Sequence, residues 1–193
     1  MQTLQRWLKH YFSLVIGHVD PAISEKQTAD YFAMATIGVT KSCPFCKGGP
    51  AGHVVQLDNV RLRESDLDRQ VDLVLDHFQD WQHTKLQIEV VAFQQGLYAL
   101  IRKRGAERQI YPTVVPWRPD KDKVRRATMQ SANFSGGLVH IRDDHPLSGA
   151  FVDEVIQFPQ GAHDDMFDAF MGASEGTVLR VRGRTFRDRP ANW

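Results

Sequence analysis

Ser13-Leu14-Val15-Ile16-Gly17-His18-Val19-Asp20-Pro21 is an apolar run closed by an acid. Ser13–Val19 reads as a short buried strand, and Pro21, which has no N–H to give to a ladder, stops it. Outward from this run, two more strand-like stretches follow. Tyr31–Thr40 is rich in aromatic and β-branched residues. His53–Leu62 resumes that character after a loop, Lys41–Gly52, punctuated by Pro44, Gly48, Gly49 and Pro50. Three such stretches in succession predict an antiparallel meander.

The period then changes. Across Ser65–Trp81, Leu67, Val71, Val74, Leu75 and Phe78 recur at helical spacing. Ser65 is placed to cap this helix, and Asp66 and Asp68 suit its positive end. Lys85–Val91 is a short apolar strand with a single acid, Glu89. Phe93–Arg104 reads as a helix stopped by Gly105, and Ile110–Trp117 as a strand or extended loop. Lys121–Ser131 reads as a helix, Leu138–Ile141 as extended, Gly149–Phe158 as a helix before Pro159, and Asp164–Ala173 as the last helix. Val178–Phe186 reads as a basic strand or tail. An antiparallel part followed by a crossover helix predicts an α/β fold whose mixed central sheet is flanked by helices. One domain is expected over residues 1–193, with a core at about 13–175 and a basic tail at 176–193.

The bulk properties exclude several classes. With 193 residues the chain can bury a core without staples. A net charge of +1 gives no global field for nucleic acid, but Arg180, Arg182, Arg184, Arg187 and Arg189 cluster near the C-terminus with Asp188 as the only acid among them. Such a cluster would track a DNA backbone without reading sequence; the alternative is a solvated strand face. Two cysteines make no secreted disulfide framework, and a reducing compartment suits them better. No apolar run reaches the ~18 residues of a membrane span, and the N-terminus lacks the apolar region of a signal peptide.

Acids stand where acids are costly. Asp20 closes one apolar strand, Glu89 sits inside Leu86-Gln87-Ile88-Glu89-Val90-Val91, and Asp164-Asp165 open a helix after His163. A carboxylate among apolar neighbours needs compensation, and a hard cation such as Mg²⁺ or Mn²⁺ supplies it. Two such ions about 4 Å apart can activate water and stabilise a leaving oxygen in phosphodiester hydrolysis. Each acid also has a bland reading. Asp20 before proline forms turns, Glu89 fits an edge strand facing water, and Asp164 and Asp165 fit helix capping.

Later blocks carry a resemblance. They are Asp122-Lys123-Val124-Arg125-Arg126-Ala127, Gly137-Leu138-Val139-His140, Phe151 to Pro159, and His163-Asp164-Asp165-Met166-Phe167-Asp168-Ala169. With Val19-Asp20-Pro21-Ala22, and with Ile88-Glu89 before Gln95-Gly96, this succession resembles the C-terminal nuclease domain of tailed-phage terminase large subunits, a ribonuclease H-like fold, over roughly residues 13–175. The resemblance implies a divalent-metal-dependent endonuclease that cuts concatemeric double-stranded phage DNA during packaging. It implies two Mg²⁺ or Mn²⁺ ions on Asp20, Glu89 and one or both of Asp164 and Asp165, with His163 and Asp168 in support. Lys123 and Arg126 would contact DNA phosphate or brace the acids, with a solvated helix face as the alternative. The implied setting is the cytoplasm of a bacterial host. The implied partners are the portal, the small terminase subunit and a packaging ATPase. No Gly-x-x-x-x-Gly-Lys-Ser/Thr motif is present, so no ATP hydrolysis is expected of this chain. The rivals are a Holliday-junction resolvase on the same fold and a non-catalytic DNA- or portal-docking module.

Cys43-Pro44-Phe45-Cys46-Lys47-Gly48-Gly49 supplies half of a zinc knuckle. Structural zinc needs four ligands; His53 is the only near candidate for a third, and there is no second cysteine pair. A plain loop is therefore the expectation, ahead of a zinc shared across a dimer and of redox chemistry.

Overall fold

A computed structural model describes residues 2–22, 31–46, 49, 51–64, 66–89, 95–119 and 122–175. The elements are α1 (Gln2–Tyr11), β1 (Phe12–Asp20), β2 (Phe32–Thr40), β3 (Val54–Leu62), α2 (Leu67–Trp81), β4 (Lys85–Glu89), α3 (Gln95–Glu107), β5 (Val114–Trp117), α4 (Lys123–Ser135), β6 (Val139–Ile141), α5 (Ser148–Gln157) and α6 (Asp165–Glu175). The strands form one sheet in the order β5-β4-β1-β2-β3-β6. The β1-β2-β3 meander is antiparallel, while β4 joins β1, β5 joins β4 and β6 joins β3 in parallel. Pro116 lies in β5, an edge strand, where a missing N–H is tolerated.

Side chains alternate across this sheet, and helices cover both faces. On one face Ile16, Ala33, Ala35 and Ile37 pack against Phe151 of α5 and Met166, Phe167, Phe170 and Met171 of α6. On the other, Val19, Phe32, Met34, Leu86 and Ile88 pack against Val71, Val74 and Leu75 of α2 and Leu97 and Ile101 of α3. Val71, Val74 and Leu75 are among the residues whose helical spacing marked α2 in the sequence.

Three local expectations are corrected. The helix after β3 is capped by Asp66, whose side chain accepts from the backbone N–H groups of Asp68 and Arg69; Ser65 lies outside the described residues. Gly105 does not end α3. It lies within the helix, where a Cβ would stand 2.5 Å from the carbonyl oxygen of Ile110. Glycine is needed there because the returning chain crosses the helix, and the turn itself comes at Gln109, whose φ is 57°. The third correction is α1, an amphipathic helix where no element was expected; its Leu8 packs with Phe12, Val15, Val55, Leu57 and Trp81. The basic tail from residue 176, with Arg180, Arg182 and Arg184, lies outside the described residues.

Candidate metal and nucleic-acid site

Parallel pairing brings the first two acids together. Val19 of β1 is registered with Ile88 of β4, so Asp20 and Glu89 are the next residues at the C-terminal ends of adjacent strands. Parallel neighbours lie about 4.8 Å apart, and period two sends Asp20 to the same face as His18 and Ile16. That face carries α6. Its approach depends on Gly172, where a Cβ would come within 2.3 Å of the buried His18 ring. Gln87 of β4 adds a donor to the Gly172 carbonyl at 3.4 Å. With its C-terminal half seated on β1, α6 presents its N-terminus to the acidic strand ends.

The start of α6 is fixed by a buried carboxylate. Glu154 of α5 is 4% exposed; it accepts from the Phe167 backbone N–H at 3.0 Å and pairs with Arg61 of β3 at 2.5 Å. A carboxylate on the free N–H groups of a first helical turn is favourable in both charge and hydrogen bonding. Burial raises the Glu154 pKa above the usual carboxylate range, against the lowering by that backbone bond and by Arg61. Sequence reading missed this brace. The signal was available: Glu154 lies three residues from the core side chain Phe151, on the same helix face.

Lys123 and Arg126 of α4 face the acids. Lys123 Nζ lies 2.8 Å from Asp164 Oδ2 and 3.2 Å from Asp168 Oδ2. Arg126 Nη2 lies 2.9 Å from Asp168 Oδ1. Arg126 is only 6% exposed, and its guanidinium carbon sits 5.5 Å from the centre of the Trp117 ring. Burial lowers the Lys123 pKa, but the bond to Asp164 and the charges of Asp168 and Asp164 more than reverse it, holding the ammonium above its usual value. Both cations are thus engaged with Asp164 and Asp168, and neither has an ion pair with Asp20, Glu89 or Asp165.

The electrostatic imbalance falls on Asp20. Burial and then the negative charges of Glu89, Asp168 and Asp165 push its pKa up to about 8, against a smaller lowering by Lys123. Glu89 is raised by burial and by Asp168, with Arg126 and Lys123 opposing. Asp165 is raised by burial and by its neighbour Asp164. His163 Nδ1 stands 3.9 Å from Asp165, and its ring meets Tyr31 edge-on at 5.1 Å. His18, behind Asp20, is driven down to about 3 by burial and by the charges of Arg126 and Lys85, so it is neutral.

A second constellation lies elsewhere. Among the described residues, the group of His, Cys, Asp and Glu donors whose ligating atoms all fall within 4.8 Å of one another is Cys43, Cys46, His53 and His140. The sequence offered no fourth partner for Cys43, Cys46 and His53; parallel pairing of β6 with β3 supplies His140.

The sheet order, the antiparallel meander and the helices on both faces define a ribonuclease H-like fold. No family model and no curated protein matches the sequence. Among solved structures the chain is similar to the large terminase nuclease from thermophilic phage G20c, with a TM-score of 0.56, 14% identity, and coverage of 86% of this chain and 84% of that one. It is also similar to the fowlpox virus Holliday junction resolvase (TM-score 0.49, 11% identity, 84% and 96% coverage) and to Thermus thermophilus RuvC (TM-score 0.47, 14% identity, 83% and 91% coverage).

Proposed function

We propose that this chain is a divalent-metal-dependent DNA endonuclease whose ions are held by Asp20, Glu89 and Asp165. The observation that carries the reading is the carboxylate pair at adjacent parallel strand ends, facing the start of α6, with the Asp20 pKa raised to about 8 by burial and by uncompensated negative charge. Hard anionic oxygens without a matched cation are the donor set that Mg²⁺ or Mn²⁺ takes. Asp165 is favoured over Asp164 because Lys123 already holds Asp164. When bound, a pair of such ions supplies an activated water and charge stabilisation for the leaving oxygen.

The rest of the work falls to the chain itself. Arg61 and Glu154 hold α6 in register, so that Asp165 stays before the strand ends. Lys123 pairs with Asp164 and Asp168 and Arg126 pairs with Asp168, which leaves the Asp20–Glu89 pair without an ion pair of its own among the described residues. Lys123 is 35% exposed at its side chain and can also reach a phosphate at the mouth of the site. Double-stranded DNA is the substrate we favour, cut during genome packaging with the portal, small terminase subunit and packaging ATPase as partners. The likeness to a terminase nuclease supports that choice. Among the described residues no helix is long and apolar enough to cross a membrane.

Plasmid cleavage by the purified chain with Mn²⁺, Mg²⁺ or EDTA, beside Asp20→Ala and Glu89→Ala, tests the proposal. Cutting that needs the metal and vanishes in both folded variants supports it. Variants that cut like wild type refute the site, and preferential cutting of a four-way junction over linear duplex would move the substrate to junction DNA.

A further inference from the structure

Cys43 and Cys46 lie in the loop between β2 and β3, His53 stands one residue before β3, and His140 is the central residue of β6. We infer that these four residues form a structural zinc site that ties the β2–β3 hairpin loop to the edge strand β6. His140 Nε2 lies 3.3 Å from Cys43 Sγ, 3.4 Å from Cys46 Sγ and 2.9 Å from His53 Nδ1, and Cys46 Sγ lies 3.5 Å from His53 Nδ1. A tetrahedral ion with Zn–S of ~2.3 Å and Zn–N of ~2.0 Å sets its ligand atoms ~3.3–3.8 Å apart. The observed spacings bracket the short end of that range, so small outward shifts admit the ion.

The chemistry of the donors selects zinc over the ions proposed for the acidic end. Two soft thiolates and two imidazoles suit zinc, whereas Mg²⁺ and Mn²⁺ prefer oxygen. Hydrogen bonding alone serves these groups poorly. A thiol is a weak donor, and each neutral imidazole carries one proton, yet four donor atoms face one another within 4.8 Å.

The scaffold is also set. Thr40 accepts from His53 through its side-chain oxygen at 2.9 Å and donates its own N–H to the His53 carbonyl at 2.9 Å. The Gly49 N–H returns to the Cys46 carbonyl at 3.1 Å, with Gly49 at a φ of 54° that favours glycine. Cys43 is 2% exposed and the Phe45 ring lies 5.6 Å from His140, so the cluster is closed on its protein side. A site with four protein ligands and no open position is structural rather than catalytic. Its mechanical effect falls on β6, a three-residue strand that, among the described residues, pairs only with β3 and leads toward α5.

The test is metal content of the full chain, purified without chelator from zinc-supplemented medium. The expected result is about one zinc per chain, retained through gel filtration and released when the thiols are chemically modified. Cobalt substitution gives the visible bands of a tetrahedral thiolate site. His140→Ala and Cys46→Ser abolish both signals, and Glu89→Gln keeps both, which separates this site from the acidic end. EDTA lowers the melting temperature by on the order of 5–10 °C. Wild-type protein that holds no zinc while both thiols react at once, or that forms a Cys43–Cys46 disulfide with zinc and reductant present, overturns the proposal. These wild-type readouts stand even if a variant fails to fold, and none depends on nuclease activity.

Discussion

The two ends of the sheet gather metal-binding residue types in opposite ways. At the C-terminal end of β1, Asp20, Glu89 and Asp165 are half-buried carboxylates with raised pKa values. At the other end of the meander, two thiols and two imidazoles already touch. Like charges repel and hold an acidic site open until a cation enters, whereas neutral sulfur and nitrogen donors can close on one another. An open oxygen site suits turnover at exchangeable ions, and a closed sulfur–nitrogen site suits holding a fold together.

Asp20→Asn sharpens this contrast most. Cleavage is expected to fall by ~10³-fold or more, because several kcal/mol of metal-based transition-state stabilisation goes with the ligand. In EDTA the same variant should gain stability at pH 8. The Asp20 pKa is about 8 in the fold against an ordinary 3.8. A carboxyl raised in this way contributes most when protonated, so its contribution is full below about pH 4 and is lost as pH rises toward 8. Solvent reaching a half-buried group trims the effect to ~2 kcal/mol. Denaturant midpoints of the metal-free proteins at pH 5 and pH 8 read it out. A wild type whose stability is flat over that window means that Asp20 carries no uncompensated charge.

Glu154→Ala comes next. It strands Arg61 and removes the cap on Phe167, so a loss of ~3 kcal/mol is expected from breaking a buried pair. That corresponds to ~6–12 °C in melting temperature for a chain of this length. Cleavage should fall with it, since Asp165 is placed by the same helix start. Full activity in a folded Glu154→Ala protein would mean that the acids hold α6 in place unaided.

How much of this could be read from the sequence follows from the range of the interactions. The strands of the meander announce themselves through local apolar and β-branched composition, and α2 through apolar residues three and four apart, and their bounds were read to within a few positions. Asp20 and Glu89 stood out because each puts an acid in an apolar strand, whereas Asp164-Asp165 also fit ordinary helix capping and were singled out with the help of the family resemblance. Gly105 misled because a glycine near a helix end looks like a stop, and only the crossing at Ile110 shows otherwise. His140 was invisible as a partner of Cys46, 94 residues away, until strand register joined them. The Lys123–Asp164 pair and the buried Arg126 likewise depend on how α4 meets α6, which no local spacing encodes.

Gly172→Ala is the smallest and most pointed perturbation. A methyl there helps the helix by ~1 kcal/mol of propensity, but it would stand 2.3 Å from the His18 ring. His18 cannot retreat, because it is buried and its ring lies edge-on to Trp117 at 4.7 Å. Overpacking of this kind costs ~1–3 kcal/mol, so after the propensity gain the net loss is ~0–2 kcal/mol, and relief comes from α6 lifting off β1. The lift moves Asp165 away from Asp20 while leaving every carboxylate present. Cleavage should therefore drop by more than the stability change implies, with a higher Mg²⁺ concentration needed for half-maximal rate. Zinc content should not change, because the Cys43–His140 cluster sits at the other end of the sheet. If stability falls while the metal dependence stays put, the closeness of α6 to β1 matters for packing alone, and the acids need no such placement.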